Sequence, residues 1–204
     1  KENFYYCSER LKDYKKFVLS VLSRHPILFP RISKRLQEDK EIALAVVRRR
    51  GRELFLLNKR FQMDKELALA AITNDVDILR DLDGKFKADQ EAIALAFRIK
   101  KDSFKYASTS LTKDKEFLKN QLALDEKGIF RYCHYDLRRT KGIYIPALKK
   151  DPALCKLFSP GLLLKLDFSS LPKKNKKVIY EAYKKRTKEK DLFLLAKAKR
   201  HFLS

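Results

Sequence analysis

The sequence has no tryptophan, one methionine, 5 glycines and 6 prolines in 204 residues. So few turn formers exclude the many tight turns of an all-β sandwich or barrel, and no glycine-rich stretch is present to cradle a phosphate. Three cysteines, Cys7, Cys133 and Cys155, show no metal-ligand spacing and cannot all pair, so they read as buried apolar fillers in a reducing compartment. No run approaches the roughly 20 apolar residues of a membrane-spanning helix. Lys1-Glu2-Asn3 leads into no signal-peptide core, and a soluble chain is expected. With Met63 as the only methionine, the sequence reads as a piece of a longer or processed protein.

Catalytic constellations are missing as well. His25, His134 and His201 are scattered, and Cys133-His134 lies between Tyr132 and Tyr135 with no second identifiable partner. No P-loop, nucleophile elbow or zinc-protease motif occurs. Neither enzymatic activity nor a cofactor or metal is expected.

What is abundant is positive charge. The net charge is +22, yet it is uneven: residues 39–113 carry 16 basic and 12 acidic side chains, whereas residues 138–204 carry 19 and 5. An excess of that kind attracts polyanions, whether nucleic acid, anionic lipid or an acidic protein. At 45% hydrophobic residues, the chain nonetheless has enough apolar material to fold.

The middle of the chain repeats itself. Asp39-Lys40-Glu41, Asp64-Lys65-Glu66, Asp89-Gln90-Glu91 and Asp114-Lys115-Glu116 recur every 25 residues, and a fainter unit begins near Asp13. An apolar residue stands three positions before each Asp (Leu36, Phe61, Phe86, Leu111) and another fifteen after it (Leu54, Leu79, Phe104, Ile129). Each Asp reads as a helix N-cap with Glu in the first turn. The six-residue apolar runs Ile42 to Val47, Leu67 to Ile72 and Ala92 to Phe97 predict helices buried from more than one side, and Leu69→Ala or Leu95→Ala should cost about 2–5 kcal/mol if each is buried. A second, more exposed helix is expected over segments such as Arg52 to Asn58 and Ser103 to Ser108. In the fourth unit, Lys119, Asn120 and Gln121 replace apolar residues, which marks either the polar end of the array or a polar groove.

The run Tyr106-Ala107-Ser108-Thr109-Ser110-Leu111-Thr112-Lys113-Asp114-Lys115-Glu116, the alanine-rich helix after each Asp, and Arg50-Gly51-Arg52-Glu53-Leu54 resemble the tandem helical repeats of the domain-of-unknown-function family numbered four-one-one-six, over roughly residues 39–138. The family's glycine occurs only at Gly51, with Val76 and Lys101 in its place, and its Ala-Ser pair only at Ala107-Ser108. The resemblance implies large proteins of bacteria that live with eukaryotic hosts, including secreted effectors, and of protists; with the reducing compartment read from the cysteines, the cytoplasm of a bacterium or of its host is expected. It implies no catalytic residues.

The expected architecture is all-α: a helical N-terminal cap (1–38), stacked short helix pairs forming a solenoid-like array (39–138) and a basic helical C-terminal region (139–204). Lys141-Gly142-Ile143-Tyr144-Ile145-Pro146 reads as a turn with a short extended stretch. Asp151-Pro152 and Ser159-Pro160 each start a helix, and a lysine-rich helix follows Pro172, with Leu192, Phe193, Leu195 and Ala196 on one side of a last helix. Two basic clusters are candidate binding sites: Lys173, Lys174, Lys176, Lys177, Lys184, Lys185 and Arg186, interleaved with Tyr180 and Tyr183, and Arg48, Arg49, Arg50 and Arg52. The tyrosines suit base stacking, a membrane interface or core anchoring. The reading is a non-enzymatic helical-repeat interaction module for a protein or polyanionic partner. RNA binding and anionic-membrane binding through the C-terminal region are the alternatives.

Overall fold

A computed structural model describes residues 2–122, 126–187 and 192–203. Among them the chain is all-α, built from α-helices and 3-10 turns without a strand. It divides into two compact units, Lys1–Ser108 and Thr109–Ser204.

In the N-terminal unit one order of elements recurs with the 25-residue register: a four-residue α-helix, a ten-residue α-helix and a 3-10 turn. Lys34–Gln37, Lys40–Arg49 and Gly51–Leu56 come first, then Lys59–Gln62, Lys65–Asn74 and Val76–Arg80, then Gly84–Lys87, Gln90–Ile99 and Lys101–Tyr106. The caps are as the sequence requires. Glu41 and Ile42 donate their N–H groups to Asp39 Oδ1 at 2.9 and 3.4 Å, Glu66 and Leu67 donate to Asp64 at 2.9 and 3.2 Å, and Ala92 donates to Asp89 at 2.9 Å.

The six-residue apolar runs are buried on both sides of a narrow stripe. Ile42, Ala43, Val46 and Val47 are fully buried, as are Leu67, Ala68, Ala71 and Ile72, and Ala92, Ile93, Ala96 and Phe97. The two central residues of each run are only half-buried, Leu69 and Leu95 among them. Leu69 and Leu95 miss the full burial that the expected cost requires, because five and six positions after the Asp lie on the same side of the helix as the exposed Glu at position two. The fully buried faces meet, so that Lys40–Arg49 packs on Lys65–Asn74, and Lys65–Asn74 packs on Gln90–Ile99.

The second half of each motif, expected as the more exposed short helix, is a 3-10 turn with its own buried side. Its apolar residues recur every third position, at Gly51, Leu54 and Leu57 and at Val76, Leu79 and Leu82, all buried. That spacing matches the three residues per turn of a 3-10 helix, in which side chains at i and i+3 eclipse. Ser103, assigned to the exposed segment, is fully buried.

An earlier motif is present as well, though its cap position is Tyr14 rather than Asp13. Tyr14 precedes the helix Lys15–Leu22, while Asp13 accepts hydrogen bonds from Ser33 and from Arg35. Lys15 bonds Asp39 and Glu41, both at 2.7 Å; Lys40 bonds Asp64 and Glu66, both at 2.9 Å; and Lys65 bonds Asp89 and Glu91 at 2.8 and 2.9 Å. Each lysine thus ties its own helix start to the next one.

In the C-terminal unit the same logic persists in altered form. Phe117 donates its N–H to Asp114 at 3.0 Å. Lys119 and Asn120 are exposed, at the positions half-buried in the earlier motifs, while Gln121 is buried and its Oε1 has no hydrogen-bond partner among the described residues. The segment after Thr140 is a ten-residue helix, Lys141–Lys150, which corrects the extended turn predicted there. Thr140 occupies the N-cap position 26 residues after Asp114, and Lys141 reaches Asp167 at 2.5 Å. Pro146 sits inside the helix, where it donates no N–H to the helix ladder. The 3-10 turn Pro152–Leu157 and the short helix Pro160–Leu163 follow, capped by Asp151 and Ser159. The helices Lys173–Arg186 and Leu192–Leu203 then pack on each other. The predicted contacts of Leu192 and Phe193 fall outside the described side chains.

Candidate functional site

The helix Lys173–Arg186 carries seven of the predicted contact residues, and its inward face fixes how they point. Asn175, Ile179 and Tyr183 are buried. Asn175 donates through Nδ2 to the carbonyls of Leu148 and Lys149 at 2.7 and 2.8 Å, satisfying the end of the helix Lys141–Lys150. Tyr183 packs 5.8 Å from Phe202, and Tyr180, half-buried, lies 6.5 Å from the same ring. Both tyrosines therefore serve as core anchors.

At about 100° per residue, this inward face turns Lys173, Lys174, Lys177, Lys184 and Lys185 to the opposite side. Lys173, Lys174, Lys177 and Lys185 are exposed and Lys184 is half-buried, while Lys176 is half-buried on the flank. Glu181 is the one carboxylate among them. Four of the lysines crowd the first turns, where the helix dipole disfavours cations, and Pro172 supplies no side-chain cap. Local helix stability does not explain them. Arg186 differs, because its Nη1 donates to the carbonyl of Phe158 at 2.7 Å and is committed to the fold.

The arginine cluster is partly spent on internal pairs. Arg50 meets Glu53 at 3.2 Å and Arg52 meets Asp75 at 3.1 Å. Arg48 and Arg49 are exposed, and their carbonyls accept from Asn74 Nδ2 at 3.2 and 3.4 Å. This cluster and the lysine helix lie in different units.

The cysteines and histidines do not assemble. Cys133 and Cys155 are buried, and burial pushes both thiols up from their ordinary pKa; Cys7 is half-buried, unlike the filler role assigned to it. His134 Nδ1 lies 3.2 Å from Asp136 Oδ2, on the surface side of buried Cys133. Among the described residues, no three His, Cys, Asp or Glu side chains converge as a metal site would require, and no helix is long and apolar enough to cross a membrane.

The family described as "Domain of unknown function (DUF4116)" matches residues 39–87. This interval covers the first two Asp-Lys-Glu motifs with their ten-residue helices and 3-10 turns. No curated protein matches the chain, and no solved structure does.

The matched interval ends well before the lysine helix, so the family likeness and the basic surface are independent observations. Sequence reasoning found the lysines by their charge. It did not distinguish Arg186 from them, since its acceptor is the backbone of Phe158, 28 residues away.

Proposed function

We propose that this chain is a non-enzymatic helical interaction module that binds an acidic protein partner through the exposed lysine side of the helix Lys173–Arg186. The observation that carries this reading is the placement of five lysines around a single carboxylate, Glu181, on one side of a helix whose tyrosines point inward. A binder of single-stranded RNA would stack bases on exposed aromatics, and Tyr183 is buried against Phe202. An interfacial membrane helix would turn its apolar face to the lipid, and here Ile179 and Tyr183 face the core. A position inside a larger protein such as a secreted effector, in a reducing cytoplasm, accords with the family likeness and with the free thiols.

The test is binding of a polyglutamate chain, an RNA oligonucleotide and anionic vesicles to the protein at low and high salt, repeated with Lys173, Lys174, Lys176, Lys177, Lys184 and Lys185 replaced by Gln. Acidic polypeptide binding that falls with salt and vanishes in the variant supports the reading. Tighter binding of RNA or vesicles that is lost in the same variant transfers the site to the runner-up. No binding to any anion at low salt removes the electrostatic reading.

A further inference from the structure

The 3-10 turn Pro152–Leu157 packs beside the helix Lys173–Arg186, and the pair is well filled on its inner side by Leu154, Cys155, Ile179 and Tyr183, all buried. Nearer the surface both elements carry alanine, Ala153 on the turn and Ala182 on the helix. Two methyl groups cannot fill the space that larger side chains fill below them, and a groove of about 380 Å3 remains. This volume lies in the range of about 300–1,000 Å3 of clefts that take organic ligands. Its floor is Ala153, Val178 and Ala182, and Val178 is 39% exposed. Lys156, Lys177 and Lys185 rim it together with Glu181. All four rim residues are exposed, and none of the three lysines forms an ion pair among the described residues.

We infer that this groove anchors an amphipathic acidic segment of the partner protein, with an apolar side chain seated over Ala153, Val178 and Ala182 and flanking carboxylates meeting Lys156, Lys177 and Lys185. The inference rests on the acidic-partner reading and adds a point of specificity to it. Charge complementarity selects the occupant: three ammonium groups against one carboxylate call for a segment rich in Asp and Glu, while the apolar floor calls for a residue such as Leu or Phe. Phosphates alone make no use of an apolar floor, and nucleobases find no aromatic ring there. A bilayer would need several large apolar side chains to insert, whereas the floor offers two alanines and one valine. Apolar anchors in a desolvated pocket, ringed by weaker polar contacts, are the usual arrangement of energetic hot spots.

Two synthetic peptides of equal length and charge test it, one with Leu at positions i, i+3, i+4 and i+7 between Glu residues and one with Ala at those positions. Methyl NMR of alanine-labelled protein reports on Ala153 and Ala182 directly. The expected result is a shift of both methyls with the Leu peptide, binding at least tenfold tighter than for the Ala peptide, and loss of that difference in Ala182→Trp, which fills the groove while keeping every lysine. Val178→Ser is the second variant, removing part of the floor without adding bulk, and should reduce the same difference. Equal binding of the two peptides, or tight Leu-peptide binding that leaves both methyls unmoved, overturns the groove assignment and leaves a purely electrostatic surface standing. If neither peptide nor polyglutamate binds at low salt, the groove inference and the acidic-partner reading fall together.

Discussion

Gly51 lies so close to Ala71 of the next ten-residue helix that a Cβ on it would stand 2.6 Å from the Ala71 carbonyl oxygen. The obstacle is backbone on both sides. Asn74 locks the same junction, accepting from the Gly51 N–H at 2.8 Å while donating to the carbonyls of Arg48 and Arg49. The requirement for glycine here is one of space and not of backbone dihedral.

Gly51→Ala is therefore expected to destabilise the N-terminal unit by about 1–3 kcal/mol, the usual range for forcing a methyl group into a filled site. Gly84→Ala is the control: its Cβ would meet nothing within 4 Å, and the loss of chain freedom in the unfolded state predicts a neutral or slightly stabilising change. Urea unfolding of both variants decides the matter. Equal stability of the two would mean that the junction opens without cost.

The core assignment makes a second comparison possible. Leu67 and Ile72 are fully buried while Leu69 and Leu95 are half-buried. Leu67→Ala or Ile72→Ala should cost about 2–5 kcal/mol. Leu69→Ala and Leu95→Ala should cost clearly less, since part of each side chain is already in water. Matching losses at all four positions in urea titrations would show that the half-buried stripe is covered in solution.

How far the sequence reveals this fold depends on how strictly the motif is kept. The Asp caps and the positions three before and fifteen after them could be read directly, because Asp has a local bonding role and the flanking positions stay apolar and buried in every motif. Thr140 hid the next helix: it replaces Asp, falls one residue late, and is followed by Pro146, which ordinarily argues against a helix interior. The 3-10 turns were hidden too, because period three and period 3.6 diverge little over six residues. At the candidate site, charge alone located the lysines. The groove is invisible in the sequence, since Ala153 and Ala182 stand 29 residues apart and only packing makes their small size matter.

The lysine ladder gives the stability a definite pH dependence. Asp39 is held below its ordinary pKa chiefly by Lys15; at Asp64 and Asp89 burial pushes the other way, yet the lysine and backbone N–H bonds outweigh it. Lys15, Lys40 and Lys65 are raised by their bonds to those carboxylates and to Glu41, Glu66 and Glu91. A lowered Asp pKa contributes stability that is complete above its unfolded value, about 3.9, and disappears as pH falls through the folded value. A raised Lys pKa contributes stability that is complete below about 10.4 and disappears as pH rises through the folded value. The ladder thus operates between these limits. A double-mutant cycle with Lys65→Gln and Asp89→Asn should show favourable coupling near neutral pH, weakened by salt and declining as pH falls below about 3.9 and the carboxylate is protonated. Coupling that does not change with pH or with salt would mean that the pair is held by something other than charge.

Arg186 and the lysines before it should part company when mutated singly. The guanidinium of Arg186 satisfies the carbonyl of Phe158, itself buried between Phe130 and Tyr144. Removing a charged donor from this part-buried hydrogen bond costs up to about 1–3 kcal/mol, so Arg186→Gln should lower the urea midpoint. Lys173, Lys174, Lys177 and Lys185 are exposed, and replacing any one of them by Gln should change stability by less than about 0.5 kcal/mol. Like-charge crowding at the start of the helix even predicts a small gain for Lys173→Gln and Lys174→Gln, because each removes a cation from the positive end of the dipole. A surface selected only for folding would not keep four lysines there. If the single lysine variants lose as much stability as Arg186→Gln, the lysines are structural and the proposed binding side loses its support. If they gain or hold stability while polyglutamate affinity falls, the charge at this helix start serves a partner.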